Sequence, residues 1–143
     1  LYIMATIPYV QDITSSSSNG TYNTGQNINI QLVFDQTIVV SGTPQLTLET
    51  GSTDAVVNYN STLSTTNTSN DTMNFTYTVA SGHSSSDLDY KSSSALSLNG
   101  GTIQDGSGNN AYLKLPRNTL SYISYPYKSI EFSIKGLSIY GGL

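Results

Sequence analysis

Gly42-Thr-Pro-Gln-Leu-Thr-Leu-Glu-Thr-Gly51 is the stretch that decides the fold class of this 143-residue chain. Leu46 and Leu48 alternate with Gln45, Thr47 and Glu49, which is the period of a strand buried on one face. Gly42 and Pro44 open the run, and Gly51 closes it with a turn. A strand this short does not stand alone in water. The flanking segments must therefore supply partners and a second apolar face.

Upstream, Asn27–Phe34 sets Ile28, Ile30, Leu32 and Phe34 on one side and Asn27, Asn29, Gln31 and Val33 on the other. Leu1, Ile3, Ala5 and Ile7 alternate in the same way before Pro8 interrupts them. Tyr9–Thr14 reads as a short strand that gives way to the loop Ser15–Gly20, and Thr37–Val40 is short and β-branched. Downstream, Ala55–Tyr59 is a strand followed by the polar tract Asn60–Asp71. Thr72–Val79 then sets Met73, Phe75, Tyr77 and Val79 against Asn74, Thr76 and Thr78. Leu88 with Tyr90, and Leu96 with Leu98, suit short strands. Asn99-Gly-Gly101 and Asp105–Asn110 are turn signals, the second bracketing Thr102-Ile103 against a strand over Ala111–Leu115 that Pro116 ends. Ile130, Phe132 and Ile134 mark one more run. Leu137–Tyr140 follows in the opposite parity, so the two cannot form one uninterrupted strand. No window of ten residues carries helical spacing. The chain reads as all-β, with evenly spaced strands that fit an antiparallel two-sheet sandwich.

Composition narrows the function. Charged residues make up 10% of the chain and the formal net charge is -4, which argues against a nucleic-acid surface. Ser, Thr and Asn exceed a third of the residues, so solubility rests on hydroxyls and amides. The 11 Tyr and 3 Phe inside alternating runs argue for a packed core over disorder. With no Cys, stability must come from packing alone. No apolar run approaches the roughly 20 residues of a spanning helix, and a start at Leu1 without Met is consistent with a processed leader.

Several motifs occur in a fixed order. They are Asn19-Gly-Thr-Tyr22, Gly25 with Ile28-Asn-Ile30, Phe34, Ser41-Gly-Thr-Pro-Gln-Leu-Thr-Leu-Glu-Thr-Gly51, Phe75-Thr-Tyr-Thr-Val79, Asp87-Leu-Asp-Tyr90, Ala95-Leu-Ser-Leu-Asn-Gly-Gly-Thr-Ile103, and Asp105 with Gly108-Asn109. Together they resemble the immunoglobulin-like repeats found in tandem in very large secreted bacterial surface and adhesin-type proteins. The resemblance covers about Pro8 to Pro116, with Ile130–Ile134 expected to complete the unit. It implies an immunoglobulin-like β-sandwich used for spacing, adhesion or matrix contact, and it brings no catalytic residues. Against the tandem pattern, the sequence reads as a single repeat, with extra apolar segments at Leu1–Ile7 and Leu137–Leu143.

Candidate chemistry is thin. His83 lies in Ser81-Gly-His-Ser-Ser-Ser86, and adjacency in sequence does not give the base–nucleophile geometry of a hydrolase. Asp87, Asp89 and Asp105, with Asn109 and Asn110, could offer hard oxygen ligands to Ca²⁺, but the spacing matches no EF-hand loop and Asp105–Asn110 reads better as an Asx turn. Glu49 and Asp54 flank a tight turn and form the least favoured alternative, a hydrolase's acid and base. No catalytic residue, cofactor or metal is assigned. Asn19, Asn60, Asn67, Asn70 and Asn74 begin N-glycosylation sequons, and all five are expected to be exposed.

The division expected is 1–7 as an N-terminal extension and candidate donor strand, 8–136 as the sandwich, and 137–143 as a tail. An apolar strand left unpaired invites association, and three readings stand for Leu1–Ile7: pairing within its own domain, strand addition to a neighbour's sheet edge, or a fragment of a longer linker. Leu1, Ile3, Ala5 and Ile7 are the candidate assembly residues, with Leu137–Leu143 the next. The expectation is a non-enzymatic extracellular or cell-surface subunit that polymerises with copies of itself. The alternative is a monomeric adhesin module that binds carbohydrate or a surface partner.

Overall fold

The computed structural model describes residues 6–64, 70–116 and 137–141. Its strands are β1 (Val10–Ser15), β2 (Gly20–Asn23), β3 (Asn27–Phe34), β4 (Val39–Ser41), β5 (Gln45–Glu49) and β6 (Ala55–Asn58). A single helical turn, α1 (Ser61–Ser64), follows within the polar tract, where the Asn60 side chain accepts from the Thr62 amide. Then come β7 (Thr72–Thr78), β8 (Ser84–Ser85), β9 (Asp89–Tyr90), β10 (Leu96–Ser97), β11 (Thr102–Gln104) and β12 (Leu137–Tyr140). The chain is all-β, with several antiparallel sheets around one apolar core.

β3 is the centre of the first sheet, ordered β1-β3-β7 and antiparallel throughout. Its alternation is met in full: Ile28, Ile30, Leu32 and Phe34 are buried, as are Met73, Phe75 and Tyr77 on β7 and Val79 just beyond it. β5 anchors the second sheet, with β6 and β10 on its flanks and β9 pairing Leu48 and Glu49. Leu46 and Leu48 are fully buried and join the same core cluster. At the start of this stretch Gly42 has φ +73, and a Cβ there would lie 2.8 Å from the Gly101 Cα. That close approach lets β4 pair with β11, and a side chain at either glycine would part them.

Three features depart from the periodicity. The turn after β11 closes with an isolated bridge between Gln104 and Asn110, but Ala111–Leu115 continues without forming a strand. Its backbone serves the first sheet's edge instead, where Tyr112 bridges Tyr9 and its amide donates to the Pro8 carbonyl at 2.8 Å. Leu137–Tyr140 is not a free tail. β12 runs parallel to β2 and antiparallel to β8, and it buries Leu137 and Ile139. The run at Ile130, Phe132 and Ile134 lies outside the described residues.

Candidate functional site

Of the candidate assembly residues, Leu1, Ile3 and Ala5 lie outside the described residues, and Ile7 lies within them. Pro8 is buried and fixes where the extension joins the domain. The Tyr9 amide donates to Asp35 Oδ1 at 2.9 Å and the Asp35 amide returns a bond to the Tyr9 carbonyl at 3.0 Å. Immediately before this clamp, Thr6 is exposed, with its carbonyl accepting from Gln36 Nε2, and Ile7 is 42% exposed. Ile7 is thus an exposed apolar side chain directly before the clamp.

Residue register fixes which end of the molecule this is. Val10 pairs with Phe34, and the Phe34 amide donates to the Asp71 carbonyl, just before β7 starts. Residues 6–9 therefore lie at the Phe34–Asp71 end of the first sheet. At the other end, Thr78 pairs with Asn27.

That other end holds a cleft between the two sheets' free edges. β6 and β7 meet at one isolated bridge, Tyr59–Phe75, beside which the Asn60 amide donates to the Asn74 carbonyl at 2.7 Å. The Tyr59 and Phe75 rings pack edge to face, 6.2 Å apart. Beyond the bridge the strands carry no further mutual pairing among the described residues, and a cavity of about 640 Å³ opens between Val56–Tyr59 and Thr76–Thr78. Ladder alternation sets the direction of the backbone groups. The Tyr59 amide bonds Pro44 on the β5 side and the Val79 amide bonds Gln26 on the β3 side. Residues one step out of phase alternate in direction, so Asn58 and Thr76 face each other beside the bridge and Val56 on β6 and Thr78 on β7 turn their backbone groups toward the cleft. Val56 is also 58% exposed.

His83 lines the mouth of this cleft. Its Nδ1 lies 2.8 Å from the Tyr77 hydroxyl, and the two rings are stacked. Burial pushes the Tyr77 hydroxyl up to about 12, against a smaller opposing effect of a backbone hydrogen bond from Ala80. The histidine thus meets a protonated phenol, not the loop serines beside it in sequence.

Glu49 and Asp54 are brought together by a residue that the sequence reading passed over. Lys91 Nζ lies 2.6 Å from Glu49 Oε2 and 3.2 Å from Asp54 Oδ2, because β9 delivers it across β5. Hydrogen bonds to Glu49 and then Asp54 hold the ammonium above its ordinary value. Both carboxylates thus share one cation, an arrangement unlike an acid–base pair poised on opposite sides of a substrate.

The candidate calcium donors do not converge. Asp87 is exposed, Asp89 Oδ1 accepts from the Tyr90 amide, and Asp105 closes its own turn. Asp105 Oδ1 accepts from the Ser107 and Asn109 amides and Oδ2 from Asn109 Nδ2, each at 2.9 Å. No group of three or more His, Cys, Asp or Glu suited to a metal forms among the described residues.

The sequons separate. Asn19 and Asn70 are exposed, and Asn67 lies outside the described residues. Asn60 is half-buried, with Nδ2 donating to Thr76 Oγ1 at 2.9 Å. The expected exposure of Asn74 is not met, for it is only 4% exposed. It faces away from Phe75 as alternation requires, but its Oδ1 accepts from Asn29 Nδ2 and Gln31 Nε2, both at 3.1 Å. That face of the sheet is covered by amides packed on one another, which strand periodicity does not reveal.

Compared with family models, with curated proteins and with solved structures, the chain matches none.

Proposed function

We propose that this chain is a non-enzymatic, extracellular structural subunit that polymerises by adding Leu1–Ile7 to a neighbouring copy. Its domain is read as an immunoglobulin-like sandwich. The order β1-β3-β7 in one sheet and β10-β5-β6 in the other supports that reading, since it parallels the A-B-E and F-C-C′ neighbours of such domains. A single observation carries the functional reading. Ile7, the last residue of the alternating apolar run, stands 42% exposed directly before the buried Pro8 clamp. An apolar strand carried away from its own core gains about 1.5–3 kcal/mol for each large side chain that a partner buries. Backbone pairing then sets its register.

Removal of residues 1–7 tests this. The shortened protein should remain a folded, soluble monomer in sedimentation, and negative-stain images should show no filaments. Filaments that persist would overturn the reading, as would an intact protein that stays monomeric at all concentrations.

A further inference from the structure

We infer that the cleft between β6 and β7 is a binding site for a neutral oligosaccharide, held by side chains that the two sheets already fix in place. The site is independent of the assembly reading above. Its volume of about 640 Å³ falls within the range of about 300–1,000 Å³ typical of small-ligand pockets and has room for a di- or trisaccharide.

Charge decides the class of ligand. Among the described residues that line the cleft, Asp54 is the only one with a formal charge, and its Oδ2 lies 3.2 Å from Lys91 Nζ. Lys91 is held in turn by Glu49. An anionic ligand therefore meets no free cation here, and a cationic one meets a carboxylate that is already paired. The rest of the polar lining is amide, hydroxyl and imidazole. These groups exchange hydrogen bonds with sugar hydroxyls without burying a net charge. A wholly apolar ligand would strip them of water and return nothing.

The polar groups are held at one end by a neighbour and open at the other. Asn58 Oδ1 accepts from Gln45 Nε2 at 2.9 Å, and the Asn58 Nδ2 hydrogens have no partner among the described residues. Thr78 Oγ1 donates to Asn27 Oδ1 at 2.7 Å and keeps its lone pairs to accept. The Tyr77 oxygen already accepts from the Ala80 amide, so its own hydrogen goes to His83 Nδ1, 2.8 Å away. His83 Nε2 then carries the ring hydrogen and is a second donor at the mouth. Donors and an acceptor thus border one space, which is the pattern that neighbouring hydroxyls of a pyranose satisfy. The backbone groups of Val56 and Thr78 add to it from the two walls. The exposed Val56 side chain and the half-buried Tyr59 ring offer apolar surface to the C–H face of the sugar. Because sheet neighbours orient these groups beforehand, binding costs little side-chain freedom.

Calorimetric titration of the full-length protein tests the assignment. Maltotriose, cellotriose, mannotriose and triacetylchitotriose are the neutral probes, and sialyllactose is the anionic one. At least one neutral probe should bind with a dissociation constant of about 1 mM or below, and more tightly than sialyllactose. Asn58→Leu and Thr78→Val, both at exposed positions, should each weaken that binding about tenfold while the melting temperature stays near that of the parent. Absence of binding by every neutral probe would overturn the assignment. Binding that both variants leave unchanged would place the sugar elsewhere and overturn it too, as would tighter binding of sialyllactose. None of these outcomes depends on whether filaments form, so the assembly reading fails or stands separately.

Discussion

Asn74 offers one amide oxygen to two neighbours, Asn29 and Gln31, on the outer face of the first sheet. Asn74→Ala should therefore cost about 1–3 kcal/mol in chemical denaturation, because two donors lose a shared acceptor in a half-buried setting. A change below about 0.5 kcal/mol would show that solvent replaces the network freely. The same packing bears on modification: peptide mapping of material from the native source should show Asn74 unmodified, whatever Asn19 and Asn70 carry. Asp105 supplies a pH-dependent case. Hydrogen bonds from the Asn109 side chain, and then from backbone amides, hold its carboxyl below the ordinary 3.8. The folded value lies under the unfolded one, so the turn's contribution is present above pH 3.8 and is lost as pH falls through the lower, folded value. The Ser107 and Asn109 amide resonances should titrate with a midpoint under 3.8, and a midpoint at or above it would show that the carboxylate is not held. The Asx turn at Asp105 is legible in the spacing of Asp, Gly and Asn. The Lys91 bridge between Glu49 and Asp54 is not, because 37 residues separate Lys91 from its nearer acid and only strand pairing closes the distance.

At the scale of elements, what the sequence reveals depends on how far apart the pairing partners lie. β3, β5 and β7 carry complete apolar alternation, and the observed strands fall within a residue of the runs that suggested them. β12 has only two apolar positions, Leu137 and Ile139, and its partners lie at Gly20–Asn23 and Ser84–Ser85. Nothing local in four residues announces a parallel partner more than a hundred positions away. Burial is what distinguishes it from a tail. Gly141, directly after β12, sits where any Cβ would collide with the Ala80 and His83 backbones. Its carbonyl accepts from Thr24 Oγ1 at 2.6 Å. Gly141→Ala should accordingly destabilise the protein by about 1–3 kcal/mol, as overpacking does elsewhere. It should also speed amide hydrogen exchange selectively in Ser138–Tyr140. Exchange rates unchanged in β12 would mean that the strand end shifts without cost.

Taken as a whole, the molecule has two unlike ends. One is the clamp of Pro8, Tyr9 and Asp35; the other gathers the cleft mouth, His83 and Gly141. Ile7 is exposed and stands outside the buried core, and the assembly reading expects removal of residues 1–7 to move the melting temperature by less than a few degrees. A shift of ten degrees or more would mean that the extension packs on its own domain. The bridge between Tyr59 and Phe75 has a consequence of a different kind. It joins the two sheets across one backbone contact, so Tyr59→Ala, which removes the edge-to-face packing on Phe75, should loosen one sheet against the other while leaving the pairing within each intact.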